Sequence, residues 1–162
     1  MDVSDYHHAD SISIARPPAE VYAIISDVTR TGELSPVCAS CAWEDATLAG
    51  TEGAWFTGHN EVGTRAWDTH CKVVAAVPGR EFTFVNHGAG HDTELVRWSY
   101  TLEPDGAGAK VTEAWQVLPA YPDFVRSADP GGDVTARLDW AAQMAREGIP
   151  TTLANLKRIA ES

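Results

Sequence analysis

Glu113 and Tyr100 are the residues of this sequence best suited to moving a proton. A carboxyl and a phenol that meet away from water can hydrogen-bond each other or a ligand. Desolvation then raises the carboxyl pKa toward the range that a general acid or base needs. Thr69 and Asn86 offer the hydroxyl and amide that steady a developing enolate oxygen. The plainer alternative is that Glu113 and Tyr100 only satisfy each other, since structural pairs of this kind outnumber catalytic ones.

Other reactive residue types are present without the partners their chemistry requires. Cys38 and Cys41 form a C-x-x-C, but no second C-x-x-C and no H-x-x-x-H follow at ligand spacing. On a strand, residues three apart point to opposite faces. The expectation is therefore buried thiols with no bound metal, and the odd count with Cys71 argues against a disulfide framework. His59, His70 and His87 share a parity opposite to that of Glu113, and His91 lies in a loop, so all four read as surface histidines. His7 and His8 read as part of a solvated arm. No G-x-S-x-G, P-loop, dinucleotide glycine fingerprint or H-E-x-x-H occurs, and no cofactor is expected.

For Glu113 to meet Tyr100, the two must face each other across a hairpin. From Val37 to Pro119 the polar–apolar period is two, and turn signals divide this stretch into six strands. A turn at Asp105 to Gly108 pairs Trp98 with Trp115, Tyr100 with Glu113 and Leu102 with Val111. A turn at Pro78-Gly79 pairs Val73 with Phe84 and Cys71 with Asn86. A turn at Val62-Gly63 pairs Phe56 with Thr69, Gly58 with Trp67 and Asn60 with Arg65. All three hairpins keep one parity apolar. The inward set is Phe56, Trp67, Thr69, Cys71, Phe84, Asn86, Trp98, Tyr100, Glu113 and Trp115, with Asn60 and Arg65 near a rim. The outer set is Trp55, Thr57, His59, Asp68 and His70.

Around these strands the chain supplies a first strand at Asp10–Ala15, a helix from about Pro17 to Ser26 and a second short one at Thr29–Leu34. Pro119 to Gly132 reads as a Pro/Gly/Asp-rich loop. A helical segment from about Val134 to Ser162 carries Leu138, Ala142, Ala145, Ile149, Leu153, Leu156 and Ala160 in one stripe. Pro150 is expected to kink or interrupt it. Seven antiparallel strands form a curved sheet whose concave face needs a cover, and only this last helix is long enough. Such a grip leaves a cavity, with Met144 contributed by the covering helix.

Composition limits the partners. The 162 residues are 44% hydrophobic and 22% charged, consistent with one globular domain over 1–162. Twelve Lys and Arg stand against 23 Asp and Glu, a formal charge of −11, and that field repels nucleic acid and anionic membranes. No apolar run approaches the ~20 residues of a membrane span, and no secretory signal opens the chain. A cytoplasmic protein is the expectation, with pairing of two copies through the face bearing Trp55 left open. Six tryptophans are a surplus that suits a site for a flat or greasy ligand.

The ordered set Ile14-Ala-Arg-Pro-Pro-Ala-Glu-Val-Tyr22, Ser26-Asp-Val-Thr-Arg30, Pro78-Gly-Arg80, Trp98-Ser-Tyr-Thr-Leu-Glu-Pro104 and Val111-Thr-Glu-Ala-Trp115 resembles the START/Bet v 1-like superfamily. It is most similar to the bacterial SRPBCC, polyketide cyclase/dehydrase-like branch, across nearly the whole chain. The resemblance implies an α+β helix-grip fold with a deep hydrophobic cavity under the C-terminal helix. It leaves the function between two classes. One is a binder of a hydrophobic small molecule (lipid, polyketide or aromatic metabolite). The other is a cyclase or dehydrase in which Glu113 and Tyr100 serve as acid and base.

Overall fold

Strands form where the alternation has a period of two, and the computed structural model, which describes residues 1–162, contains seven. They are β1 (His7–Ile14), β2 (Cys38–Trp43), β3 (Trp55–Val62), β4 (Arg65–Val77), β5 (Glu81–Asn86), β6 (Val96–Asp105) and β7 (Gly108–Val117). All pair antiparallel in the order β1-β7-β6-β5-β4-β3-β2. The first two strands in sequence are thus the two edges of the sheet. The chain passes from one edge to the other through α1 (Pro18–Ile25), a 3₁₀ turn at Val28–Arg30 and α2 (Thr31–Leu34).

The long helix α4 (Val134–Ala160) covers the concave face, giving the α+β helix grip. Asp133 caps it by accepting a hydrogen bond from the Ala136 amide at 3.0 Å, satisfying one of the orphan donors of the first turn. Leu138, Ala142, Ala145, Ile149, Leu153 and Leu156 are buried, as their stripe requires. The helix does not stop at Pro150. That residue and Arg146, whose carbonyl loses its partner, are exposed, so water can satisfy the freed group.

Three local expectations differ from the structure. The stretch after Pro119 contains α3 (Tyr121–Ala128). Its composition reads as loop, yet Pro122 sits in the first turn, where proline costs no hydrogen bond, and Tyr121, Pro122 and Val125 are buried. The first strand begins at His7, so His7 and His8 lie in the ladder opposite Gln116 and Trp115 rather than in a free arm. The β3–β4 register is displaced by two residues: Phe56 pairs with Cys71, Gly58 with Thr69 and Asn60 with Trp67. The turn residues are Gly63 and Thr64, and only Gly63 has positive φ (+60°), the pattern of a type II′ hairpin. A slip of two keeps every side chain on its face, so the inward set is unaffected.

Leu153 is 2% exposed and faces the sheet from α4. Leu153→Ala is expected to lower stability by about 2–5 kcal/mol, read as a lower urea midpoint with an unchanged m-value.

Candidate functional site

The helix and the concave sheet enclose a cavity of about 230 Å³, and 21 of its 32 lining residues are hydrophobic. Each strand from β3 to β7 contributes alternate residues to its wall. Phe56 comes from β3; Trp67, Thr69 and Cys71 come from β4; Phe84 and Asn86 come from β5. β6 supplies Trp98 and Tyr100, β7 supplies Glu113 and Trp115, and α4 supplies Met144. Every residue expected to face inward as a ligand contact therefore lines the cavity. Phe56 and Phe84 meet edge to face at 5.1 Å between ring centres, closing part of the apolar wall.

Glu113 lies opposite Tyr100 across the β6–β7 ladder, and the Tyr100 hydroxyl donates to Glu113 Oε1 at 3.1 Å. The carboxyl is 4% exposed and its Oε2 has no hydrogen-bond partner. Burial pushes its pKa up to about 8, while the Tyr100 hydrogen bond pulls the other way and is outweighed. Asp10, opposite Glu113 on β1, adds to the rise. At neutral pH the group is therefore mostly the uncharged acid, able to donate from one oxygen while the other accepts. Burial also holds the Tyr100 phenol well above its ordinary range, so it remains a donor.

Two further polar residues are partly committed. Thr69 Oγ1 accepts from Asn60 Nδ2 at 3.3 Å. Asn86 Oδ1 accepts from the Gly88 amide at 2.7 Å, which leaves the amide donors of Asn86 for a ligand. At one side of the cavity Trp67 and Trp140 meet edge to face at 6.0 Å. The Arg65 guanidinium lies 5.4 Å from Trp67 and 5.0 Å from Trp140, and that of Arg137 lies 4.7 Å from Trp140. The arginine ion pairs of the chain are Arg30–Glu33 and Arg126–Asp123, so neither Arg65 nor Arg137 has a carboxylate partner. Arg137, Ala141, Met144, Gly148 and Thr152 follow helical spacing beside the buried stripe of α4. That periodicity in the sequence points to all of them.

The thiols depart most from expectation. Cys38 and Cys41 both line the cavity, with their sulfurs 3.2 Å apart. A β-bulge explains this: Cys38 pairs with Asn60 and Ser40 with His59, leaving Ala39 out of the ladder. One extra residue reverses the parity between the two cysteines and turns both inward. Gly58, opposite Cys41, makes the room. A methyl group there would lie 3.2 Å from Thr69 Oγ1 and 3.5 Å from each sulfur. Gly32 on α2 is needed for the same bulge, because its Cβ would fall 2.1 Å from the Ala39 carbonyl oxygen. Hydrogen bonding from Cys38 and Thr31 holds the Cys41 thiol below its ordinary pKa, and the same contact with Cys41 pushes that of Cys38 up. No residue type in the sequence announces the bulge.

The outer face carries the other histidines. His59 hydrogen-bonds Asp68 at 2.6 Å and Glu61 at 3.1 Å. His70 and His91 both contact Glu44. His87 is buried, contrary to the surface position expected for it, because Trp55 packs edge-on against its ring at 4.8 Å.

The sequence profile of the family described as polyketide cyclase/dehydrase and lipid transport matches residues 7–161. The chain belongs to that family. Among solved structures it is similar to a polyketide-cyclase-like protein of Corynebacterium glutamicum, with 37% identity, a TM-score of 0.69 and coverage of 99% of this chain and 94% of that one. It also resembles the di-domain ARO/CYC protein StfQ of the steffimycin biosynthetic pathway, with 14% identity and a TM-score of 0.71 over 96% of this chain and 50% of that one. The KanY protein matches with 20% identity and a TM-score of 0.68, each chain covered in full. The last two likenesses are of fold alone. No curated protein matches the sequence significantly. No helix is long and apolar enough to cross a membrane.

Glu113 also makes a prediction about stability. Its folded pKa of about 8 lies above the ordinary 4.5, so the folded state binds the proton more tightly than the unfolded chain. The resulting stabilisation is complete below the ordinary value and is lost as pH rises through the folded one. Relative to Glu113→Gln, the native protein is expected to lose up to about 1.4 kcal/mol per pH unit across that window. Urea melts of both proteins at a series of pH values measure the difference.

Proposed function

We propose that the protein binds a small, mainly apolar molecule carrying a carbonyl or hydroxyl group, held in the cavity with that group at Glu113. The observation that carries this reading is the orphan oxygen of a buried carboxyl set in a mainly apolar wall. A buried polar atom without a partner is costly, and a ligand oxygen removes that cost. Aromatic side chains on β3 to β7 and on α4 suit a flat ring system or a short acyl chain. The volume, about 230 Å³, lies below the roughly 300–1,000 Å³ usual for ligand cavities, so a mono- or bicyclic aromatic metabolite fits better than a full-length lipid. Arg65 and Arg137, stacked on the tryptophans without carboxylate partners, offer a second handle to a carboxylate or sulfonate on the ligand.

A second reading, turnover of a polyketide-like chain by cyclisation or dehydration, is favoured by one observation. Glu113 is held near neutral pKa and is aligned by Tyr100, the condition under which a carboxyl can both accept and return a proton. In that role Tyr100 orients the carboxyl through its hydrogen bond, and the amide of Asn86 donates to an enolate oxygen.

Calorimetric titration with 2-naphthol and naphthalene tests the binding reading. Naphthol is expected to bind one to one and about tenfold more tightly than naphthalene, the effect of one added hydrogen bond. That preference should vanish in Glu113→Leu. Filling the cavity with Thr152→Trp should abolish binding of both. Equal affinities in the native protein, or no binding of either probe, would contradict the assignment.

A further inference from the structure

Outside the cavity, the convex face gathers two imidazoles and a carboxylate from three separate elements. Glu44 follows the end of β2, His70 lies on β4, and His91 lies in the loop between β5 and β6. One ligand atom from each lies within 4.8 Å of the others. Glu44 Oε1 contacts His70 Nδ1 at 2.5 Å, Glu44 Oε2 contacts His91 Nε2 at 3.4 Å, and the two imidazole rings are 4.4 Å apart.

We propose that Glu44, His70 and His91 form a binding site for a divalent transition-metal ion of the zinc type. Imidazole nitrogen with carboxylate oxygen is a donor set for zinc and its neighbours rather than for magnesium or calcium. With bonds near 2.0–2.2 Å, ligand atoms around a tetrahedral ion lie about 3.3 Å apart. The observed separations bracket that value, so side-chain rotations suffice. The side chains of Glu44, His70 and His91 are 31%, 26% and 48% exposed. An ion can therefore enter and keep water in its fourth position.

The surroundings are those of a supported site. Thr57 Oγ1 donates to Glu44 Oε1 at 3.2 Å, orienting the carboxylate. Trp55 packs edge-on against His91 at 4.5 Å and restricts that ring. The backbone at His70 is itself bonded to the stem of the loop bearing His91: its amide donates to the Gly88 carbonyl at 2.7 Å, and its carbonyl accepts from the His87 amide at 2.8 Å. The adjacent cation is Lys72, whose ammonium sits over Trp55 at 5.9 Å. No other histidine offers this set. His8 meets only Asp10, and His59 uses opposite ring nitrogens for its two carboxylates, which cannot converge on one ion. A bound ion ties the end of β2, the middle of β4 and the 87–95 loop together, next to Asn86 and Val96 of the cavity wall.

Titration of the reduced protein with Co²⁺ tests the site. One equivalent should bind with visible d–d absorption and without the near-ultraviolet charge-transfer band of a thiolate ligand, and Zn²⁺ should displace it. His91→Ala and Glu44→Gln should weaken binding by at least about tenfold, since loss even of an outer-shell partner costs roughly 10–100-fold. His8→Ala and the Cys38→Ser/Cys41→Ser pair should leave it unchanged. His91 is exposed, so its variant keeps the fold, and circular dichroism verifies this. Absence of a stoichiometric site, binding that survives in His91→Ala, or binding lost with the two thiols would overturn the proposal.

Discussion

A seven-stranded sheet has a concave face to bury, and this chain supplies a single long helix with which to bury it. Seven strands at a spacing of about 4.8 Å span roughly 29 Å, whereas a helix with its side chains is about 10–12 Å wide. The backbone of α4 approaches β1 most closely, and it reaches the middle strands only through side chains such as Trp140, which meets Trp67 of β4. The remaining space on that face is bordered by α1, α2 and large aromatic side chains, and the cavity is what they leave unfilled. The cavity is therefore a consequence of coverage.

That shortage of cover explains the character of the site. Glu113 lies on β7, close to where α4 seals the sheet, and is consequently desolvated. Tyr100 on the adjacent strand is the one partner available to it. The same packing that stabilises the fold thus raises the carboxyl pKa and leaves an oxygen unmatched. Family membership is consistent with this arrangement: a shared scaffold supplies the cavity, and the particular polar groups on its wall decide what enters.

Much of this was legible from alternation alone. The β6–β7 hairpin reads correctly to the residue because its turn is short and both strands carry a strict period of two. This is why Glu113, Tyr100, Trp98 and Trp115 could be placed together. The β3–β4 hairpin slips by two because glycine at position 63 can begin or end a turn, yet parity survives the slip. The Cys38–Cys41 pair was not legible, because the bulge at Ala39 depends on how α2 packs at Gly32, a tertiary contact. The cluster of Glu44, His70 and His91 was hidden for a similar reason: parity places His70 outward, but only the folded β5–β6 loop brings His91 to it. α3 was masked by prolines and aspartates that equally suit a loop.

The character of the cavity turns on a neutral carboxylic acid buried in its wall. Carbon-13 observation of the Glu113 side-chain carboxyl through a pH titration reports on that directly. A midpoint near 8, well separated from the other glutamates, is the predicted result. A midpoint near the ordinary 4.5 would mean that water reaches the carboxyl, and would contradict the site as described.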